Sequence, residues 1–185
     1  MSKFTKYINS HISALQSLDI KKLEKIKKIL ETKIKLGKNI FTCGNGGSAS
    51  VSNHFLCDFN KGSKILTNNK FRPKVISLSN NIEIITAISN DIKYEEIFAY
   101  QLENYSNKND LLISFSCSGN SKNIVNAIKF AKKRGVFTIS FTGFASKKIR
   151  NLTNLNLDLG VTNYGICEDI FQSIMHLLSQ NIGKK

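Results

Sequence analysis

Short apolar runs alternate with helical patterns along this chain, with no room between them for hairpins, and few architectures accept that order. The runs are NIFTCG (39–44), KVISLS (74–79), DLLISFS (110–116), VFTISFTG (136–143) and residues 155–159. Between them lie segments with helical patterning, at 48–59, 81–89, 94–105, 121–135 and 146–152, and a final helix is expected at 167–182. A helix between successive strands makes those strands parallel, and right-handed crossovers cover both faces of the sheet. DLLISFS is wholly apolar or small after its aspartate, as a strand buried on both faces must be. The expected fold is α/β, a three-layer sandwich around a parallel sheet of about five strands. Residues 61–72 are polar and basic and read as a loop, and Asn90-Asp91 reads as a turn. The helix at 121–135 ends on Arg134-Gly135, a basic last turn with a glycine C-cap.

Residues 2–36 precede this alternation and read as two helices, with Asp19 placed to cap the second. In that second helix Leu23, Ile26, Leu30 and Ile34 share a face, and its lysines fall on the solvated remainder. A leading helical pair of this kind suits packing against another subunit. The chain of 185 residues is long enough for one well-buried domain, taken to be 1–185.

The formal charge is +14, from 27 Lys and Arg against 13 Asp and Glu. Nucleic acid, an anionic membrane surface or an anionic small substrate would each suit it. The lysines are dispersed, however, and nucleic acid is not the expected partner. No apolar run approaches the roughly 20 residues of a membrane span. The first residues carry no secretory pattern, so the expected location is the cytoplasm. Cys43, Cys57, Cys117 and Cys167 form no C-x-x-C pair or zinc framework and read as reduced thiols.

Two strand ends share an unusual make-up. CGNGGSAS follows the first strand and SCSGNS the third. In an open parallel sheet, ligands bind outside the carboxyl ends of the strands. Ser116, Ser118 and Ser121 supply hydroxyls, Gly119 allows close backbone approach, and the helix starting near Ser121 offers free N–H groups and a favourable dipole. These features suit a phosphate monoester. Neither the P-loop nor the dinucleotide glycine pattern is present. As plain structure, Ser48, Ser50 and the other loop residues would be caps and turn formers.

CGNGGSAS followed by NHF, together with SCSGNSKNIVNAI, closely resembles the sugar isomerase (SIS) domain, and within it the phosphoheptose isomerases. The resemblance spans nearly the whole chain. It implies an SIS-type sheet with an N-terminal helical pair and a ketose–aldose isomerisation of sedoheptulose 7-phosphate to D-glycero-D-manno-heptose 7-phosphate through an enediol. It also implies a homotetramer with sites between subunits, and often one zinc ion per subunit. The substrate-binding set carried over is Asn45, Gly46, Gly47, Ser48, Asn90, Asp91, Ser116, Ser118, Asn120 and Ser121. His54, Asp58, Glu168 and His176 are the implied metal ligands. His176, Asp58 and Asp91 are the implied catalytic groups.

The residues themselves leave alternatives. Moving a proton between C1 and C2 needs a base near carbon and a donor or metal at the oxygens. His54 and Asp58 stand four apart on one helix face, which suits joint ligation or a ligand–base pair. Glu168, Gln172 and His176 share a stripe on the last helix, and Glu168 can be a ligand, a base or a helix-start acid. His11 matches nothing in the family and reads as a surface residue. The chain departs from the family at Asp58, where Glu is usual, and at Glu168, where Gln is common. NKGSK replaces a G-R-Y segment, with Lys61 or Lys64 as candidate substitutes, and NYGICED lacks an aspartate often found before the last helix. The rival readings are an isomerase of another ketose phosphate, and a non-catalytic SIS protein that binds a sugar phosphate or a partner protein.

Overall fold

The computed structural model describes residues 1–144 and 147–184. Two helices, α1 (Lys3–Gln16) and α2 (Ile20–Lys35), come first. The alternation follows: β1 (Asn39–Cys43), α3 (Gly47–Cys57), α4 (Lys64–Leu66), β2 (Lys74–Ser77), α5 (Ile82–Asp91), α6 (Ala99–Tyr105), β3 (Leu111–Ser116), α7 (Lys122–Lys133), β4 (Phe137–Thr142), α8 (Lys147–Leu152), β5 (Leu155–Asp158) and α9 (Tyr164–Asn181). The five strands pair in parallel in the order β2-β1-β3-β4-β5.

That order decides where a ligand can sit. The chain leaves β1 for the outer strand β2, then crosses back past β1 to β3 and onward. Between β1 and β3 the winding reverses, and such a switch point opens a crevice at the strands' carboxyl ends. The hydrophobic packing shows the divergence. Val51 and Phe55 of α3 join α1, α2 and α9 on one face of the sheet. Ile124, Val125 and Ile128 of α7 join α5, α6 and α8 on the other. On the first face Phe55 stacks on Phe59 with ring centroids 4.1 Å apart, and Phe115, Phe141 and Phe171 pack beside them. Leu23, Ile26, Leu30 and Ile34 are the buried residues of α2, and Asp19 caps it through Lys22 N. Gly135 takes a positive φ of 76° after α7, as its C-cap role requires.

Several local expectations are corrected. Residues 61–72 are not simply a loop, because α3 runs on into a π-helical turn, Asp58–Ser63, and then into α4. Asn60 holds that turn to the sheet edge, giving its amide to Val75 O and accepting from Val75 N, both at 2.9 Å. The side chain thus pairs with strand β2, which would otherwise present an open edge. Neither Ser48 nor Ser50 caps α3, whose N-cap is Gly46 with no side-chain hydrogen bond. Asn90-Asp91 is not a turn but the last two residues of α5. The segment 94–105 divides into a 3₁₀ turn, Tyr94–Glu96, and α6. The last helix begins at Tyr164, capped by Asn163, so Glu168 lies in its second turn and is no helix-start acid. Ser146, the expected start of the helix at 146–152, lies outside the described residues.

Candidate functional site

The crevice between β1 and β3 contains a cavity of about 260 Å³ lined by Asn45, Gly46, Ser48, Phe115, Ser116, Cys117, Ser118, Ser121, Tyr164 and Glu168. Both hydroxyl-rich loops therefore face one space. Of the six helices with ten or more residues, α1, α2, α5 and α9 are capped by Ser2, Asp19, Asn81 and Asn163. The other two, α3 and α7, carry no side-chain cap, and both start at the cavity; α9, capped by Asn163, also brings its first residue, Tyr164, to it. Apart from Ile124 N, which donates to Asn123 Oδ1, their first N–H groups and the Ser121 hydroxyl are spared from side-chain capping, and two helix dipoles converge. That arrangement suits a multiply charged anion.

The loops are joined across the switch point. Asn45 Nδ2 donates to Asn123 Oδ1 at 3.0 Å, and Asn123 Nδ2 donates to Asn45 Oδ1 at 2.8 Å. Tyr94 Oη also donates to Asn45 Oδ1, at 3.0 Å. Gly46 takes φ 55° and ψ −127°, a conformation that side-chain-bearing residues avoid. A Cβ on Gly47 would collide with the Glu168 carboxylate, so Glu168 lies against the first loop, with Oε1 4.0 Å from Cys117 Sγ. A hydrogen bond from Cys167 holds the Cys117 thiol below the ordinary thiol range, and Ser48 Oγ at 3.8 Å assists. The same bond, with burial, pushes Cys167 upward.

A second cluster lies where α3 passes into its π turn beside α9. His54 Nε2 is 3.3 Å from Asp58 Oδ1, His176 Nε2 is 3.6 Å from Asp58 Oδ2, and the two imidazole Nε2 atoms are 3.4 Å apart. Ser179 Oγ donates to Asp58 Oδ2 at 3.4 Å, and the Gln172 amide nitrogen stands 3.2 Å from His176 Nε2. Among the described residues, His54, Asp58 and His176 form a group whose ligand atoms lie within 4.8 Å of one another. Two imidazoles and a carboxylate are a zinc-type donor set, and ligands about 2.1 Å from a tetrahedral ion stand about 3.4 Å apart. The two imidazole nitrogens match that edge and the carboxylate turns one oxygen to each, so the group fits a zinc ion held by all three residues, or by His54 and Asp58 alone with His176 Nε2 left to take a proton.

The expected residues thus separate into places. Ser48, Ser116, Ser118 and Ser121 meet at the cavity with Asn45 and Gly46, while Gly47 carries the Glu168 contact. His54, Asp58 and His176 meet at the second cluster, and Glu168 is not in that group. Asn120 is exposed on the second loop, its N–H bonded to Ser118 Oγ at 3.3 Å. Asn90 and Asp91 are exposed at the end of α5 and bonded to each other, and Asp91 lines a different cleft with Ile88 and Tyr100. His11 Nδ1 lies 3.7 Å from Asp169 Oδ2. Sequence reasoning missed Asn123 and Tyr94. The one available signal was an amide two residues past Ser121, where a helix prefers other residues.

The SIS domain family model matches residues 3–143. A probable phosphoheptose isomerase of Thermoplasma acidophilum is 32% identical over 186 residues, which cover 97% of each chain. The chain belongs to the SIS family, in its phosphoheptose isomerase branch. Within that branch, the phosphoheptose isomerase of Clostridium acetobutylicum is 42% identical over 141 residues, covering 74% of this chain and 70% of that one. A solved phosphoheptose isomerase from Francisella tularensis superposes with a TM-score of 0.89 at 25% identity over the full length of both chains. Among the described residues, no helix is long and apolar enough to cross a membrane.

Proposed function

We propose that this chain is an isomerase that interconverts sedoheptulose 7-phosphate and D-glycero-D-manno-heptose 7-phosphate through an enediol. The observation that carries the reading is the pair of uncapped helix starts, α3 and α7, facing one hydroxyl-lined cavity. In this reading the phosphate takes the free N–H groups and the hydroxyls of Ser48, Ser116, Ser118 and Ser121. His176 Nε2 takes the proton from C1 and returns it at C2, the hydroxyl proton passes from O1 to O2 by way of the enediol, and Asp58 Oδ2, 3.6 Å away, balances the imidazolium. His54 and Asp58 would hold zinc, which when bound would polarise the substrate's carbonyl and hydroxyl oxygens. Family members bearing this name, up to 42% identical, support the substrate.

The test is turnover of sedoheptulose 7-phosphate with and without added zinc, alongside metal analysis of two variants. His54→Ala should lose bound zinc, and His176→Ala should retain it while losing turnover by about 100-fold or more. Absence of turnover in both conditions, with phosphate-sugar binding intact, would remove the heptose assignment. Full activity in His176→Ala would remove that residue from the proton path.

The assembly proposed is a homotetramer. Phe4, Ile8 and Ile12 stand one turn apart on α1 and are 83%, 55% and 47% exposed, an apolar stripe suited to a second copy. Light scattering on Phe4→Asp/Ile8→Asp should then report smaller species than the parent.

A further inference from the structure

We propose that Asn123 and Tyr94 are positioning residues that hold the two anion-binding loops at working separation. The inference rests on the sugar-phosphate reading of the cavity. The parallel ladder between β1 and β3 ends at the pair Cys43 and Ser114. Beyond it the chain turns into α3 on one face of the sheet and, after β3, into α7 on the other. Nothing in the sheet therefore ties residues 45–48 to residues 116–121, although both must reach the same small anion.

The reciprocal amide pair supplies that tie. Asn45 and Asn123 exchange two hydrogen bonds as facing backbone units in a sheet would. Tyr94 occupies the remaining acceptor position of Asn45 Oδ1, so that oxygen has donors on both lone pairs and its orientation is set. Tyr94 belongs to the connection between α5 and α6, so a third segment is pinned to the same atom. Asn123 is only 2% exposed, and its Oδ1 also accepts from Ile124 N at 2.9 Å. That last bond satisfies one start-of-helix donor that a capping serine would otherwise serve, and leaves the Ser121 hydroxyl facing the cavity. Orienting Asn45 also orients the peptide leading into Gly46 and Gly47. Neither Asn123 nor Tyr94 lines the cavity, so their effect passes through Asn45 and Ser121.

The experiment compares Tyr94→Phe, Asn123→Ala and the parent protein in three measurements: steady-state kinetics with sedoheptulose 7-phosphate, melting temperature alone, and melting temperature with inorganic phosphate. Tyr94 is half-exposed, and its Phe variant loses only a hydroxyl, so folding is not at stake. Losing one neutral hydrogen bond to Asn45 should raise KM about threefold in Tyr94→Phe. Asn123→Ala loses three bonds and should raise KM about tenfold or more. In both, kcat should stay within about twofold, and the phosphate-induced rise in melting temperature should shrink in the same order. A parent protein that phosphate does not stabilise overturns the anion reading itself. A normal phosphate response that neither variant reduces overturns the positioning role alone, as does a fall in kcat with KM unchanged.

Discussion

Replacing Ser121 by alanine separates a binding hydroxyl from a capping one. At an ordinary N-cap this change costs about 1 kcal/mol. In a chain of this size, that lowers the melting temperature by about 2–4 °C. Ser121 stands at the N-cap of α7 but its side chain makes no capping bond, and Ile124 N is served by Asn123 Oδ1 instead. The melting temperature of Ser121→Ala should therefore match the parent's. Its hydroxyl lines the cavity, and a hydrogen bond to a charged group is worth about 1.5–3 kcal/mol. At 1.4 kcal/mol per factor of ten, KM for the sugar phosphate should rise about 10- to 100-fold with kcat little changed. Asp19→Ala is the control, because Asp19 caps α2 through Lys22 N at 2.9 Å and lies on none of the cavity's elements. It should lose about 2–4 °C and keep the parent KM. The assays are a coupled isomerase assay and thermal unfolding on the same preparations. If Ser121→Ala instead melts lower and keeps its KM, the hydroxyl is a cap and the reasoning from uncapped helix starts fails.

Two other changes test neighbouring claims. Asn60→Ala removes both bonds to Val75 on the outer strand, each worth about 1 kcal/mol, and should lower the melting temperature by about 4–8 °C, as unfolding scans would show. An unaltered melting temperature would mean that the π turn does not hold the sheet edge. Glu168→Gln removes a negative charge that lies against the first anion-binding loop, so KM for the sugar phosphate should fall by about threefold. A large fall in kcat with KM unchanged would instead make Glu168 a base.

The fold was legible because its signals are periodic. Alternating strands and helices, the buried stripe of α2 and the Gly135 C-cap all leave local patterns. The two loops were legible because hydroxyls and glycines at strand ends have a use as well as a cost. What the sequence hid depends on contacts between distant segments. The π turn at Asp58–Ser63 has no periodic pattern, and its anchor is an asparagine reaching a strand 15 residues away. Ser48 and Ser50 looked like caps because serine favours that position, whereas the loop uses Gly46 there. The start of α9 was obscured by Gly165, a residue that disfavours helix interiors. The structure explains it: a Cβ at Gly165 would stand 3.1 Å from Tyr7 Oη, so the glycine permits α1 to pack closely on α9. Of the site residues, Glu168 was the least readable, since a helical stripe with His176 gives shared direction but not shared location.

That stripe sets a length. Glu168 lies at the anion cavity and His176 in the cluster with His54 and Asp58, both on α9. Eight residues of α-helix separate them by about 12 Å along the axis. An extended chain advances about 1.2 Å per bond, so the eight bonds from phosphorus to C1 of a heptose 7-phosphate span about 10 Å. The six bonds in a pentose 5-phosphate span about 7 Å by the same measure. A phosphate seated on Ser48, Ser118 and Ser121 therefore lets a heptose carry C1 and C2 to His176, and leaves the reacting carbons of a pentose two bonds short. Misplacement by about 1 Å can cost 100-fold in rate, so a ketopentose 5-phosphate should bind through its phosphate and turn over at least 100-fold more slowly. A substrate panel read by product formation, with competitive inhibition as the measure of binding, checks both halves. Equal turnover of the pentose and heptose phosphates would show that the cavity and the histidine cluster do not act on one molecule from opposite ends.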